Sequence, residues 1–157
     1  MACDRRTIEV TDLIVESARE GDLAAIDEIE QHSFKTPWPR GTFAGELLRE
    51  WARIDIARIG ERAVAFCNYW LVTTEVHILS IATHPDYRGR GIARALLAHV
   101  LDVARTAGCS LATLEVRRSN QPAIALYERA GFKTVHVRAR YYQDDNEDAL
   151  VMLRGLS

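Results

Sequence analysis

The segment HPDYRGRGIARALLAHV, His84 to Val100, places two glycines and three arginines in seven residues just ahead of an amphipathic helical pattern. A helix N-terminus presents unpaired backbone N–H groups and the positive end of the helix dipole. Glycines before it let the backbone approach a ligand closely, so a strand, a glycine turn and a helix together form an anion site. Arg88 and Arg90 add positive charge. Taken alone, the turn also reads as a solvated loop with incidental glycines, because motifs this short are weakly specific. A P-loop is excluded, since the GxxxxGK spacing and its Ser/Thr end are missing. A dinucleotide fingerprint fails too, because Arg94 stands where a third glycine belongs.

The flanking pattern gives the turn its setting. Ile92, Leu96, Leu97, Val100, Leu101, Val103 and Ala104 form one stripe, which predicts a helix over Ile92 to Ala107 with Gly108 as its stop. Upstream, strands are expected at Leu13 to Arg19, Ile54 to Ile59, Arg62 to Val72 and Val76 to Ala82, the last ended by His84-Pro85. Leu23, Ile26 and Ile29 mark a helix with Asp22 as its N-cap. KTPWPRG, Lys35 to Gly41, is a loop, and a short helix follows over Thr42 to Arg49. Downstream, Leu111 to Val116 reads as a strand, and Asn120 and Pro122 open a helix Ala123 to Ala130 closed by Gly131. Phe132 to Tyr142 and Ala149 to Leu153 pair as a hairpin around the acidic loop QDDNED. The order predicts a one-domain α/β fold: a central mixed, mostly antiparallel sheet flanked by helices.

Composition removes several function classes. The chain has 157 residues, 48% hydrophobic and 27% charged, which suits one globular domain. A net charge of −2 offers no global electrostatic case for nucleic acid, and none is expected as a direct partner. Cys3, Cys67 and Cys109 form no CxxC pair, and the histidines have no ligand spacing, so neither a disulfide framework nor a metal is expected. No apolar run approaches the ~20 residues of a membrane span, and MACDRRTIEV has no apolar signal core. The expectation is a soluble, cytoplasmic protein without a membrane partner. The oligomeric state is not legible.

Arg88-Gly89-Arg90-Gly91-Ile92-Ala93, after a strand and an HPDY turn, resembles the pyrophosphate-binding loop of the GNAT family of N-acetyltransferases. LEVRRSNQPAIALYERAGF (Leu114 to Phe132) and YYQDDNEDALVML (Tyr141 to Leu153) continue the likeness, which spans residues 13 to 153. Ala93 stands where many members have glycine, an accepted variant. The resemblance implies an acetyltransferase domain over residues 13–157 behind an extension of residues 1–12. It implies acetyl-CoA as donor and no metal. Arg88, Gly89, Arg90, Gly91, Ile92 and Ala93 would cradle the pyrophosphate, mainly by backbone amides. Ser80, Ile81 and Ala82 would line the pantetheine arm, and Asn120 would contact the cofactor. Within the family the likeness is to members that acetylate protein N-termini, in particular the N-terminal alanine of a ribosomal protein.

Two side chains carry the chemistry in that family pattern. Glu115 matches a general base and Tyr127 the acid that protonates the departing thiolate. On residue grounds alone Glu115 is equally an ion-paired strand carboxylate, and Tyr127 a core tyrosine. A free Glu has a pKa of ~4.3, too low for a lysine amine at ~10.4, but serviceable for an α-amine at ~7.7–8.0. Trp38, between Pro37 and Pro39, and the pair Tyr141 and Tyr142 are candidate walls of a peptide slot, or simply surface packing. Asp144, Asp145, Glu147 and Asp148 form either a solvated loop or an attractive patch for a basic peptide. A small-molecule amine acetyltransferase and a non-catalytic acyl-CoA-binding module remain the alternatives.

Overall fold

The computed structural model describes residues 12–156. The expected extension at residues 1–12 therefore lies, but for its last residue, outside the described chain. Among these residues seven strands form one sheet: β1 (Leu13–Ser17), β2 (Ala52–Ile59), β3 (Arg62–Val72), β4 (Glu75–Thr83), β5 (Leu111–Arg117), β6 (Lys133–Tyr142) and β7 (Glu147–Gly155). Their spatial order is β1-β2-β3-β4-β5-β7-β6. Of these seven strands β4 and β5 run parallel, and the other neighbour pairs are antiparallel. The crossover between those two is helix α3 (Ile92–Thr106), as a parallel pair requires.

Helices cover both faces. On one side α1 (Leu23–Ser33) and α2 (Thr42–Leu47) bury Ile26, Ile29 and Phe43 against Ile54, Ile56 and Phe66. On the other, α3 and α4 (Gln121–Arg129) bury Leu96, Leu97, Val100, Leu101 and Ile124 against Val76, Ile78, Leu114 and Met152. The predicted stripe of α3 is the buried one, except that Val103 packs only at its margin. In α4 the buried residues are Ile124 and Tyr127, so Tyr127 lies deeper than Leu126 and Ala130. Asp22 occupies the N-cap of α1 but caps nothing there. Its carboxylate instead accepts the Arg19 N–H at 2.8 Å and pairs with Arg58 at 2.6 Å. The expected first strand stops at Ser17 rather than Arg19 for the same reason: residues 20–22 form a 3₁₀ turn.

Of the sheet's four register shifts among the described residues, two shape the site. Between β3 and β4 the register jumps from Asn68↔Ser80 to Tyr69↔Ile78, which leaves Leu79 as an extra residue. The bulge flips the alternation of β4. Val76 and Ile78 face α3, yet Ala82 packs with α1 and α2. The second irregularity lies in β6, where Arg138↔Ala149 is followed by Tyr142↔Glu147. Four steps on β6 oppose two on β7, and Arg140 within that bulge adopts φ 52°. A non-glycine residue in that region is strained, and the Arg140 N–H bonded to Asp148 at 3.0 Å helps to hold it.

Leu96, fully buried under the sheet, contrasts with Leu48, 88% exposed at the end of α2. Leu96→Ala should lower the unfolding free energy by about 2–5 kcal/mol, whereas Leu48→Ala should change it by less than about 0.5 kcal/mol. Urea denaturation at constant m-value measures both; equal effects would contradict this assignment of the core.

Candidate active site

Pairing between β4 and β5 stops at Ile78↔Leu114. Beyond that point β4 continues to Thr83 beside β3, and β5 continues to Arg117 beside β7. The two strands part, and two cavities meet in the gap. One, of about 650 Å³, contains Glu30, Trp38, Ser80, Glu115, Tyr127, Tyr141 and Tyr142 in its wall. The other, of about 700 Å³, runs along the glycine turn and the start of α3. Phe34, Ile81, Asn120 and Ala123 line both, so the cavities lie end to end.

The glycine-turn cavity is built from backbone. Gly89 and Gly91 take φ of 77° and 78°, left-handed values that side chains resist. The α3 ladder begins with Ala95 N–H donating to the Gly91 carbonyl at 3.1 Å, so the amides of Ile92, Ala93 and Arg94 have no intrahelical acceptor. Of the residues expected here, Ile81, Ala82, Arg88, Gly89, Gly91, Ile92, Ala93 and Asn120 do line this cavity, and Ser80 lines the other. Arg90 does not. Its guanidinium turns away, over the Tyr87 ring at 5.1 Å and onto the Asp86 carbonyl at 3.2 Å. The Arg88 side chain is itself occupied, donating to the carbonyls of Thr83 and His32. Arg129 and Arg154 also reach the wall, from α4 and β7. Sequence spacing gave no sign of these two, since only the folded sheet brings them to the turn.

In the other cavity Glu115 and Tyr127 approach from opposite sheet faces. Glu115 alternates with the buried Leu114 and Val116 and is part-exposed. Its Oε1 lies 3.3 Å from Arg138 Nε, and Tyr141 donates its hydroxyl to the same carboxylate. The ion-paired reading of Glu115 thus has its cation, Arg138 on the edge strand. Tyr127 is buried from the α4 side, edge-on to Phe132 with ring centroids 5.9 Å apart. Burial pushes its phenol up, so it stays protonated at any working pH. Asn120 has both roles open to it: its Oδ1 accepts the Ala123 N–H at 3.3 Å as the α4 cap, and it borders both cavities.

Aromatic side chains close the cavity. Trp38 stacks on Phe43 at 5.1 Å, and Tyr141 packs edge-on to Tyr142 at 5.2 Å. The β6 bulge is what delivers both tyrosines to this wall. Arg117 lies 4.0 Å from the Tyr142 ring and pairs with Asp144, Asp145 and Glu147 at 3.0–3.3 Å. The same loop grips the opposite side. Lys35 bonds Asp145 at 2.7 Å, and the Thr36 hydroxyl donates to Asp144 at 2.5 Å. Asp148 pairs with Arg118 at 3.1 Å. The acidic run is therefore neither simply solvated nor an unneutralised patch, because the chain's own cations already partner it. Among the described residues no cluster of three His, Cys, Asp or Glu could hold a metal, and no helix is long and apolar enough to cross a membrane.

The charges of this clasp are held in place by one another. Lys35 holds the Asp145 carboxyl down to about 2, the Thr36 hydroxyl and Arg117 lower Asp144, and Ser119 lowers Glu147. Asp145 in turn pushes Lys35 up. Depressed carboxyls contribute fully above their unfolded pKa of ~4 and lose that contribution as pH falls toward 2. A raised lysine contributes below ~10.5 and loses that contribution above it. Hydrogen exchange in residues 35–36 and 143–147, corrected for intrinsic rates, should thus stay flat from about pH 5 to 9 and rise on acidification below about pH 4. A change between pH 6 and 8 would contradict this assignment.

Known proteins agree with this geometry. The sequence profile of the "Acetyltransferase (GNAT) family" matches residues 23–132. The [ribosomal protein bS18]-alanine N-acetyltransferase of Escherichia coli K12 is 37% identical over 145 residues, 91% of this chain and 97% of that protein. The crystal structure of the Escherichia coli ribosomal-protein-S18-alanine N-acetyltransferase superposes with a TM-score of 0.86 at 36% identity, covering 92% and 94% of the two chains. The acetyl-CoA complex of Arabidopsis thaliana NAA60 shares the fold at 20% identity, with a TM-score of 0.84 over 92% of this chain and 98% of that one. This chain belongs to the acetyltransferase (GNAT) family and is an N-acetyltransferase.

Proposed function

We propose that the enzyme transfers the acetyl group of acetyl-CoA to the N-terminal α-amine of a protein, the alanine terminus of a ribosomal protein being the acceptor. One observation carries this reading: the gap between β4 and β5 joins an anion-binding cavity to an aromatic-walled one that holds a carboxylate and a protonated phenol. The residues fit a coenzyme A thioester. Helix-end amides and two left-handed glycines suit a pyrophosphate, and Arg88, Arg94, Arg129 and Arg154 line the cavity for a polyanion. The name of the Escherichia coli relative, matched over nearly its whole length, supports the acceptor.

Acetyl-CoA supplies an activated acyl thioester. The remaining work falls to this chain. Glu115 accepts the proton that the attacking amine sheds as its C–N bond forms. Arg138, half-exposed at the rim, is the cation that an incoming ammonium must compete with or displace. Tyr127 delivers a proton to the sulfur as the C–S bond breaks, and its own burial keeps that proton available. Trp38, Tyr141 and Tyr142 orient the chain end and exclude water. Cys67 and Cys109 are buried, border neither cavity, and have thiols pushed up by burial, which supports direct transfer over a covalent acetyl-enzyme.

The test is a panel with acetyl-CoA: a basic peptide starting with alanine, the same peptide with a blocked N-terminus and free lysines, and polyamines. Acetylation of the α-amine is expected. Turnover of only the blocked peptide or only polyamines would overturn the acceptor assignment, and tight acetyl-CoA binding without turnover would indicate a non-catalytic module. Glu115→Gln and Tyr127→Phe should each lower kcat by about 10²–10⁴; near-normal rates in both would place the chemistry elsewhere. Arg90→Ala should weaken acetyl-CoA only modestly, since its side chain faces Tyr87, whereas Gly91→Val should abolish binding because its φ of 78° excludes a β-branched residue. The reverse ranking would refute the amide-based site.

A further inference from the structure

Four carboxylates are buried among the described residues: Asp22, Glu30, Glu46 and Asp55. Three brace the framework. Asp22 binds Arg58, Glu46 accepts from Asn68 and Trp70, and Asp55 accepts the Tyr69 hydroxyl. Glu30 is the only one of the four that lines the cavity holding Glu115 and Tyr127. It is 3% exposed, so its charge must be satisfied by local donors. Its Oε2 accepts the backbone N–H of Trp38 at 3.0 Å, and its Oε1 accepts the Ser80 hydroxyl at 3.2 Å. The next residue of α1, Gln31, donates its Nε2 to the Trp38 carbonyl at 3.1 Å.

These contacts matter because of where Trp38 sits. Pro37 and Pro39 have no N–H, so the Trp38 amide is the sole backbone donor of that tripeptide. Consecutive side chains of α1 therefore hold both polar backbone groups of the residue whose indole walls the cavity. Through Ser80 the same carboxylate reaches β4 where the strands part. Glu30 thus spans from the aromatic wall to the sheet edge. Its two oxygens are engaged by framework donors and buried, whereas Glu115 is part-exposed and its partners are exposed side chains at the cavity rim.

We propose that Glu30 is a positioning residue of the acceptor slot: acting through Trp38, it fixes the Pro37–Pro39 wall at the spacing from β4 that admits a chain end, and it takes no proton in the transfer. This rests on the acceptor reading given above. The decisive variant is Glu30→Gln. Its carbonyl oxygen still accepts the Trp38 N–H, and its NH₂ can donate to Ser80 only once that hydroxyl turns to accept, so both bonds lose the carboxylate's charge and the strut weakens.

The loss should appear in KM for the alanine-started peptide, raised about 10- to 100-fold, and not in kcat or in acetyl-CoA affinity. Amide exchange in residues 34–40 should accelerate. Glu30→Gln/Trp38→Ala should be no worse than Trp38→Ala alone, because the strut acts through the indole-bearing residue. Should Glu30→Gln fail to fold, Gln31→Ala loosens the same wall from its other bond and should give a smaller rise in KM. A collapse of kcat at unchanged KM would overturn the proposal by placing Glu30 in the proton path. Additive effects with Trp38→Ala, or unchanged exchange in residues 34–40, would overturn it as well. If the unaltered enzyme leaves the peptide untouched, the acceptor reading fails by itself, and the exchange measurement still decides whether Glu30 holds the wall.

Discussion

The parallel pair β4/β5 is the constraint on which the rest of the structure depends. A parallel ladder inside an otherwise antiparallel sheet needs a long crossover, and that crossover is α3 with the glycine turn at its head. The ladder lasts only from Glu75↔Leu111 to Ile78↔Leu114. The extra residue at Leu79 then flips the alternation of β4, so Ser80 turns toward α1 and Glu30 while Ile81 packs on the α3 side. The backbone groups freed by the parting strands border a cavity where they would otherwise pair. A sheet that continued the ladder would have no gap, and neither Glu115 nor Tyr127 could reach a common point.

Arg117, Lys35 and Arg118 neutralise the acidic loop and tie the β6–β7 turn to the loop after α1. These bonds are exposed individually, so each is weak, but several converge on Arg117 and act as a network. Arg138 occupies the candidate base in the resting state, and Glu30 holds the tryptophan wall from beneath. Rigidity of the wall and openness at the base are therefore assigned to different carboxylates.

Much of this was legible in the sequence. Period-2 and period-3.6 patterns located the seven strands and four helices to within one or two residues for most ends, since burial on one face dictates both. The glycine turn was readable because only glycine takes its backbone, and Asn120 because its cap follows from position. Other features depend on tertiary neighbours. Nothing local predicts the Leu79 bulge, or the Arg140 bulge that turns Tyr141 and Tyr142 into the wall. Arg129, Arg138 and Arg154 come from segments remote in sequence. Glu30 did leave a trace: it falls four residues after Ile26, on the buried stripe of α1, where a carboxylate needs a reason. Its partners, separated from it by 8 and 50 positions, could be found only in the fold.

In the proposed reaction the chain end and the thioester meet in the gap between β4 and β5, with Glu115 and Tyr127 on either side. A crystal structure with a bisubstrate ligand, an alanine-started peptide joined through its α-nitrogen to coenzyme A, tests it most directly. The ligand is expected to run unbroken from the Gly89–Gly91 turn, past Ser80 and Ile81, and to emerge between Trp38 and Tyr141. A ligand seated at the turn whose peptide half leaves by another route, with Glu115 out of reach of the joining nitrogen, would contradict it.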